Sequence, residues 1–163
     1  MNKSEILYWP IGVIHSDHRE EDKTPIQPVY AQGSKGTVEL FPEFVDGLRD
    51  LSEFSHIYLI YHFHNAQRLK MVIKPYLDDA YHGIFATRAP YRPNPIGLSV
   101  VELLGIEGHI LHVDGVDVLD GTPLLDIKPY ISRFDVRDVR KNGWQEKVDD
   151  QTAARRGKRG HKS

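Results

Sequence analysis

Apolar residues in this chain recur mostly at every second position, in short runs cut by proline and glycine. That is the period of strands, not helices. Ile11-Gly12-Val13-Ile14 and Thr37-Val38-Glu39-Leu40 read as the first two strands. The longest run, His56-Ile57-Tyr58-Leu59-Ile60-Tyr61-His62-Phe63-His64, sets Ile57, Leu59, Tyr61 and Phe63 on one face. His56, Tyr58, Ile60, His62 and His64 fall on the other, because successive side chains alternate across a strand. Further strands are predicted at Lys70–Lys74, Gly83–Thr87, Leu98–Leu104, His109–Val113, Val116–Leu119 and Leu124–Ile127. Gly105-Ile106-Glu107-Gly108 and Asp120-Gly121-Thr122-Pro123 read as turns between neighbours. Pro42–Gly47 reads as one helical turn, opened by proline and closed by glycine. Residues 16–36 are polar and hold Pro25, Pro28, Gly33 and Gly36. A loop of that length in a compact domain is functional or mobile. About eight short, evenly spaced strands predict an all-β, single-domain antiparallel barrel with short helical turns.

Composition narrows the function. The 163 residues hold ten prolines, thirteen glycines and no cysteine. A disulfide scaffold, a zinc ribbon and a thiolate nucleophile are therefore excluded. No apolar run nears the roughly 20 residues of a membrane-spanning helix, and Met1-Asn2-Lys3-Ser4-Glu5 lacks a signal-peptide pattern. A cytoplasmic protein is expected. Residues 153–163 carry Arg155, Arg156, Lys158, Arg159 and Lys162 and no acid, leaving 16 basic against 23 acidic side chains elsewhere. An acidic body does not coat itself with nucleic acid, so RNA would have to meet a local patch, a dimer seam or the tail. The expected layout is a barrel over 1–140 and an extension over 141–163 ending in a disordered basic tail.

Three segments carry candidate chemistry. In Phe85–Gly97, Pro90, Pro93 and Pro95 stiffen a loop that presents Arg88 and Arg92. Such a loop can grip an anion or an RNA backbone, or it can be a rigid crossover with paired surface arginines. In Asp114–Tyr130, four aspartates fall within thirteen residues. They suit a divalent cation, a ribose, or simply two Asp-Gly turns. The histidine face puts His62 and His64 about 7 Å apart, within reach of a metal ion. A buried polar or substrate-facing role is the better reading of it, and no metal site is assigned. Gly-x-Gly-x-x-Gly, Walker A and Gly-x-Ser-x-Gly patterns are missing, which argues against dinucleotide, ATP and α/β-hydrolase chemistry.

Together, these segments resemble the TsaA/TrmO family. The resemblance rests on Ile11–Ser16, Pro25–Pro28, Phe54-Ser55-His56, Phe63-His64, Phe85–Ser99 and Asp117–Tyr130. It spans about residues 8–135, and the arginine–proline loop and the Asp-Gly-Thr-Pro segment make it specific. It implies a β-barrel methyltransferase that uses S-adenosylmethionine to methylate N6 of threonylcarbamoyladenosine beside the tRNA anticodon. It also implies a homodimer with the cofactor near the subunit seam. The cofactor residues it implies are Pro25, Ile26, Gln27, His64, Asn65, Arg88, Leu98, Asp117, Val118, Leu119 and Asp120. Arg92, Asn94, Lys128 and Tyr130 are expected to face the RNA. No catalytic residue is assigned, with His64, Asp117 and Asp120 candidates for a base by type. Ile26 stands where bacterial members commonly have arginine, and their second, C-terminal domain has no counterpart in this sequence. The alternatives are a non-catalytic module binding S-adenosylmethionine or a nucleotide, a metal-dependent hydrolase using His62, His64 and Asp126, and a structural RNA-binding barrel reliant on its tail.

Overall fold

The computed structural model describes residues 4–159. Residues 1–3 and 160–163, with part of the N-terminal reading and the end of the basic tail, lie outside them. Six strands close an antiparallel barrel: β1 (Gly12–His15), β2 (Lys35–Leu40), β3 (His56–His62), β6 (Ile96–Glu107), β7 (Ile110–Asp114) and β8 (Thr122–Pro129). Their order around the barrel is β1-β2-β7-β6-β3-β8, and β8 pairs back onto β1. A separate ribbon joins β4 (Val72–Ile73) to β5 (His82–Gly83). Two short α-helices, α1 (Ser132–Asp135) and α2 (Asp150–Gly157), follow the barrel. Closure pairs every barrel strand on both sides, so the barrel has no free edge of the kind a small all-β domain must otherwise protect.

The alternating pattern places the core as expected. Ile57, Leu59 and Tyr61 of β3 are buried, and they meet Ile14, Val38, Leu40, Val101, Leu111, Val113 and Leu124 inside the barrel. Phe63 packs against this core from its rim. Gly97 is needed where β6 passes β3, since a Cβ there would lie 2.1 Å from the Tyr61 ring. The large aromatic therefore fits inside a narrow barrel only beside a residue without a side chain.

Several boundaries differ from the expected ones for identifiable reasons. Val116–Leu119, buried except for the half-buried Leu119, is not a strand. Its carbonyls accept from side chains: Val116 O from His18 Nε2, Val118 O from Ser16 Oγ and Leu119 O from Thr122 Oγ1. With those acceptors used, no neighbouring strand is required. The run at Gly83–Thr87 leaves β5 at once for a 3-10 turn over Ile84–Ala86, where Arg92 Nη1 donates to Ile84 O and Thr87 O. The run at Lys70–Lys74 keeps only the two residues of β4 as strand. β6 does not turn at Gly105 but continues to Glu107, with the register shift between Leu103 and Gly105 absorbing one residue. The disorder expected from residue 153 gives way, within the described residues, to α2. Asp149 caps that helix by accepting from Thr152 N at 2.8 Å.

Candidate functional site

One side of the barrel opens into a cleft of about 1790 Å³. A pocket for one small ligand takes roughly 300–1,000 Å³. This cleft has room for a nucleoside and a second group beside it. Its inner wall is the barrel: the outer faces of β3 and β6, and the irregular stretch Asp114–Leu119. Its outer wall is made of the loops over 21–32 and 63–92.

The structure brings most of the predicted residues to this cleft. Pro25, Ile26, Gln27, His64, Asn65, Arg88, Leu98, Asp117, Val118 and Leu119 all line it, as does Arg92. Arg88 is the tie between segments far apart in sequence: its Nη1 donates to Gln27 Oε1 at 2.7 Å. The stiff proline loop is thereby fastened to the Pro25–Gln27 triplet, and Gln27 Nε2 donates in turn to Ile26 O at 2.7 Å. Arg92 serves a different end. Its Nη1 donates to the carbonyls of Ile84 and Thr87, and its guanidinium lies over the Phe85 ring at 5.8 Å. It locks the loop that carries Arg88.

The floor holds the strongest electrostatic feature of the cleft. Asp117 is buried, and Ser99 Oγ donates to its Oδ1 at 2.6 Å. Tyr61 Oη lies 2.9 Å from the same Ser99 oxygen. Ser99 has one proton, which the carboxylate takes, so the Tyr61 hydroxyl donates to Ser99. Burial pushes the Asp117 carboxyl up to about 7, against the opposing pull of the Ser99 hydrogen bond and the Arg88 charge. Burial also raises the Tyr61 phenol well above its usual value, and the Asp117 charge adds to that. At the rim, partial burial, reinforced by neighbouring His62, lowers the His64 imidazole below its ordinary value, which favours the neutral ring.

Four predicted residues stand apart from the lining. Asp120 follows Leu119 but turns away, accepting from Arg19 Nη1 and Ser16 N and lying 3.3 Å from His15 Nδ1. Burial opposes its ionisation, yet these hydrogen bonds and the Arg19 charge prevail and lower its pKa. Lys128 pairs with Asp126 at 2.8 Å. The Tyr130 ring packs on Tyr58 at 5.6 Å, behind the cleft edge. Asn94 lies in the proline loop, where its carbonyl accepts from Ile96 N at 2.7 Å. Among the described residues no three histidine or acidic side chains are grouped to hold a metal, so His62, His64 and Asp126 form no such centre.

The lining also includes residues that sequence reasoning passed over: Tyr30, Tyr76, Tyr91, Trp144 and Arg159. Their signal was aromatic residues interleaved with basic ones from Lys70 to Arg92, a composition suited to stacking and phosphate contact. For the C-terminal part, the signal was Asp149 three residues before Thr152, a helix start.

Comparison with known proteins shows the family and the fold. The profile of the tRNA-methyltransferase O N-terminal domain matches residues 13–136. A probable S-adenosyl-L-methionine-binding protein of Pyrococcus abyssi is 57% identical over 142 residues, covering 87% of this chain and 77% of that one. The tRNA (adenine(37)-N6)-methyltransferase of Mus musculus is 37% identical over 142 residues, covering 83% of this chain but 33% of its own length. A crystal structure of TrmO from Pseudomonas aeruginosa superposes with a TM-score of 0.73 at 41% identity, over 86% of this chain and 63% of that one. The chain thus spans about a third of the mouse enzyme and under two-thirds of the bacterial structure. Fold and sequence agree, and the chain belongs to the tRNA-methyltransferase O family, by its N-terminal domain.

Proposed function

We propose that this protein is an S-adenosylmethionine-dependent tRNA methyltransferase that acts on N6 of threonylcarbamoyladenosine beside the anticodon. The observation that carries the reading is the meeting of the Arg88–Gln27 tie and the buried Asp117 in one cleft large enough for two ligands. Residues of the cleft suit the cofactor's chemistry. Val118, Leu119 and Leu98 offer apolar surface for a purine and a thioether, while Gln27 and Asn65 offer amide donors and acceptors. Asp117, buried at the cleft floor and held by Ser99, suits a hydroxyl or ammonium group.

When bound, S-adenosylmethionine supplies a methyl group made electrophilic by its sulfonium. The protein's first task is alignment, because fixing donor and acceptor at near-contact distance contributes most of what an in-line transfer requires. The proline-stiffened loop, Arg92 within it and the Arg88–Gln27 bond set the outer wall for that purpose. Its second task is the proton. N6 of a carbamoylated adenine is a weak nucleophile and must lose a hydrogen. Asp117, raised to about 7, is half ionised near neutral pH and can accept it at a carboxylate oxygen. His64, kept neutral at the rim, can accept a proton at an imidazole nitrogen and pass it to water. An anticodon loop presents the base unstacked at small cost. Tyr91, Phe85 and Tyr76 offer it aromatic faces.

A homodimer fits the same reading. Ile96, Leu98 and Leu104 leave apolar side chains exposed along β6, and Phe134, Val136 and Val139 do so just after the barrel. Leu98 belongs to both this face and the cleft, so a second copy seated there would border the cofactor. The reading sets the protein in the cytoplasm with its tRNA, and no helix among the described residues is long and apolar enough to cross a membrane.

The test is methyl transfer from labelled S-adenosylmethionine to tRNA carrying threonylcarbamoyladenosine, beside tRNA with unmodified adenosine. Label on the modified tRNA alone supports the reading. Saturable S-adenosylhomocysteine binding with no label on any tRNA would make the protein a cofactor-binding module instead.

A further inference from the structure

The segment after the barrel is stitched to both loops of the cleft's outer wall. Gly157, at the end of α2, is buried, and its carbonyl accepts from Ile26 N at 2.9 Å. Ile26 is the middle of the triplet that Arg88 holds through Gln27. The Gly157 Cα rests on the Tyr30 ring so closely that a Cβ would lie 2.5 Å from it. Two residues on, Arg159 Nη1 donates to Glu21 O at 2.5 Å. All three contacts fall on the loop over 21–32.

The same segment grips the other loop. The Arg159 guanidinium stacks 3.8 Å from the Tyr76 ring centre. Arg156 sets both terminal nitrogens on the Asp79 carboxylate at 3.3 Å, and Lys74 reaches that carboxylate at 3.5 Å. Trp144 Nε1 donates to Ala86 O at 2.8 Å, and its ring stacks on His82 at 4.8 Å. Glu21, Ile26, Tyr30, Tyr76 and Ala86 all line the cleft. Among the described residues, the only paired strands in the two loops are β4 and β5, with two residues each, and the loops meet directly through exposed side-chain bonds, Arg88 to Gln27 and Tyr91 Oη to Glu21, so the segment after the barrel adds the larger set of ties.

We infer that residues 144–159, beyond the part of the chain that the family profile matches, form a strap that sets the width of the cofactor cleft. Gly157 and Arg159 are then positioning residues for methyl transfer. The inference rests on the cofactor reading above and assigns the cleft width to a segment outside the barrel. A strap of this kind acts before chemistry. It pre-orders two loops that otherwise lose freedom when the cofactor binds, so its loss weakens binding and leaves the chemical step alone.

The experiment uses the full chain with Gly157→Val, in which the new side chain must displace either α2 or Tyr30. Asp79→Ala is the milder second variant, at an exposed position where folding is not at stake. Hydrogen exchange at the Ile26 amide is followed without ligand, alongside S-adenosylhomocysteine affinity and the separate kcat and KM for S-adenosylmethionine. In Gly157→Val the Ile26 amide is expected to lose at least ~10-fold in protection and KM to rise ~10-fold, with kcat within twofold. Asp79→Ala is expected to move the same quantities by about threefold. An Ile26 amide as protected as in the parent chain, or an unchanged KM beside a fallen kcat, overturns the strap. If the parent chain binds no S-adenosylhomocysteine, the cofactor reading fails, while Ile26 exchange still decides whether the segment holds the loop.

Discussion

The two walls of the cleft are built by different physics. On the barrel side, Ser99 and Tyr61 stand on paired strands, and each hydroxyl between Tyr61 and Asp117 has a defined partner. On the loop side, side chains replace the sheet: Arg88 to Gln27, Arg92 to its own loop's carbonyls, and Arg159 across to Tyr76. A perturbed carboxyl needs fixed, dry surroundings, because small movements would let water in and return it to its ordinary value. Recognition of a bulky RNA base needs a wall that can give. The molecule puts the titrating group on the wall built on the barrel, and Arg88, Arg92 and Tyr91 on the wall held by side-chain bonds.

The sharpest way to break this comparison is Asp117→Asn. The amide keeps nearly the same shape and still accepts from Ser99, so the barrel wall stays in place while the proposed proton acceptor is lost. Turnover is expected to fall by about 10²–10⁴-fold, with S-adenosylhomocysteine affinity changed far less. Single-turnover methyl transfer beside calorimetric titration separates the two. Equal losses in both would make Asp117 a binding residue and not a base.

The same carboxyl makes a prediction about stability. In the folded chain Asp117 holds its proton up to about pH 7, while its ordinary value is 3.8. Between those values the folded state binds more protons than the unfolded one, so stability falls as pH rises through that window and levels off above it. The slope due to this group approaches about 1.4 kcal/mol per pH unit. Urea denaturation from pH 4.5 to 8 should show the decline in the parent chain and a flatter profile in Asp117→Asn. Parallel profiles would mean that water reaches the carboxyl.

On the loop wall, Arg88→Ala removes a charge-assisted bond worth about 1.5–3 kcal/mol at most. Cofactor affinity is expected to weaken roughly tenfold, with the melting temperature nearly unchanged because the barrel core is untouched. A large loss of stability with intact affinity would reverse the roles given to the two walls.

The barrel was legible in the sequence because burial on one face forces alternation, and Ile57, Leu59 and Tyr61 display it openly. Val116–Leu119 misled because its apolar residues are buried without pairing: His18, Ser16 and Thr122 supply the hydrogen bonds a strand would have given. Chain order alone does not say which side chains will reach those carbonyls. Arg88 and Asp117 could be named from their motifs, but the bond from Arg88 to Gln27 spans 61 positions and appears only on folding. The strap was hidden by composition. Arg155, Arg156, Lys158 and Arg159 read as a solvated run, yet Arg156 and Arg159 find an acid and an aromatic ring on one distant loop.

Asp117 and Asp120 carry this comparison down to one turn of chain, with two residues between them and opposite environments. Asp117 faces the cleft floor with its pKa raised by burial. Asp120 faces Arg19, His15 and the Ser16 amide with its pKa lowered. If orientation and not residue type decides function, Asp120→Asn should leave S-adenosylhomocysteine affinity within about twofold, because its carboxylate does not reach the lining. It should cost stability by roughly 1 kcal/mol or less, as Arg19 is largely exposed and its ion pair is screened. That cost should be full at neutral pH and disappear as pH falls through the carboxylate range, since a lowered pKa stabilises the folded parent only while the group is ionised. A tenfold loss of affinity in this variant would mean that the turn rotates when the cofactor enters, carrying Asp120 from the barrel end into the site.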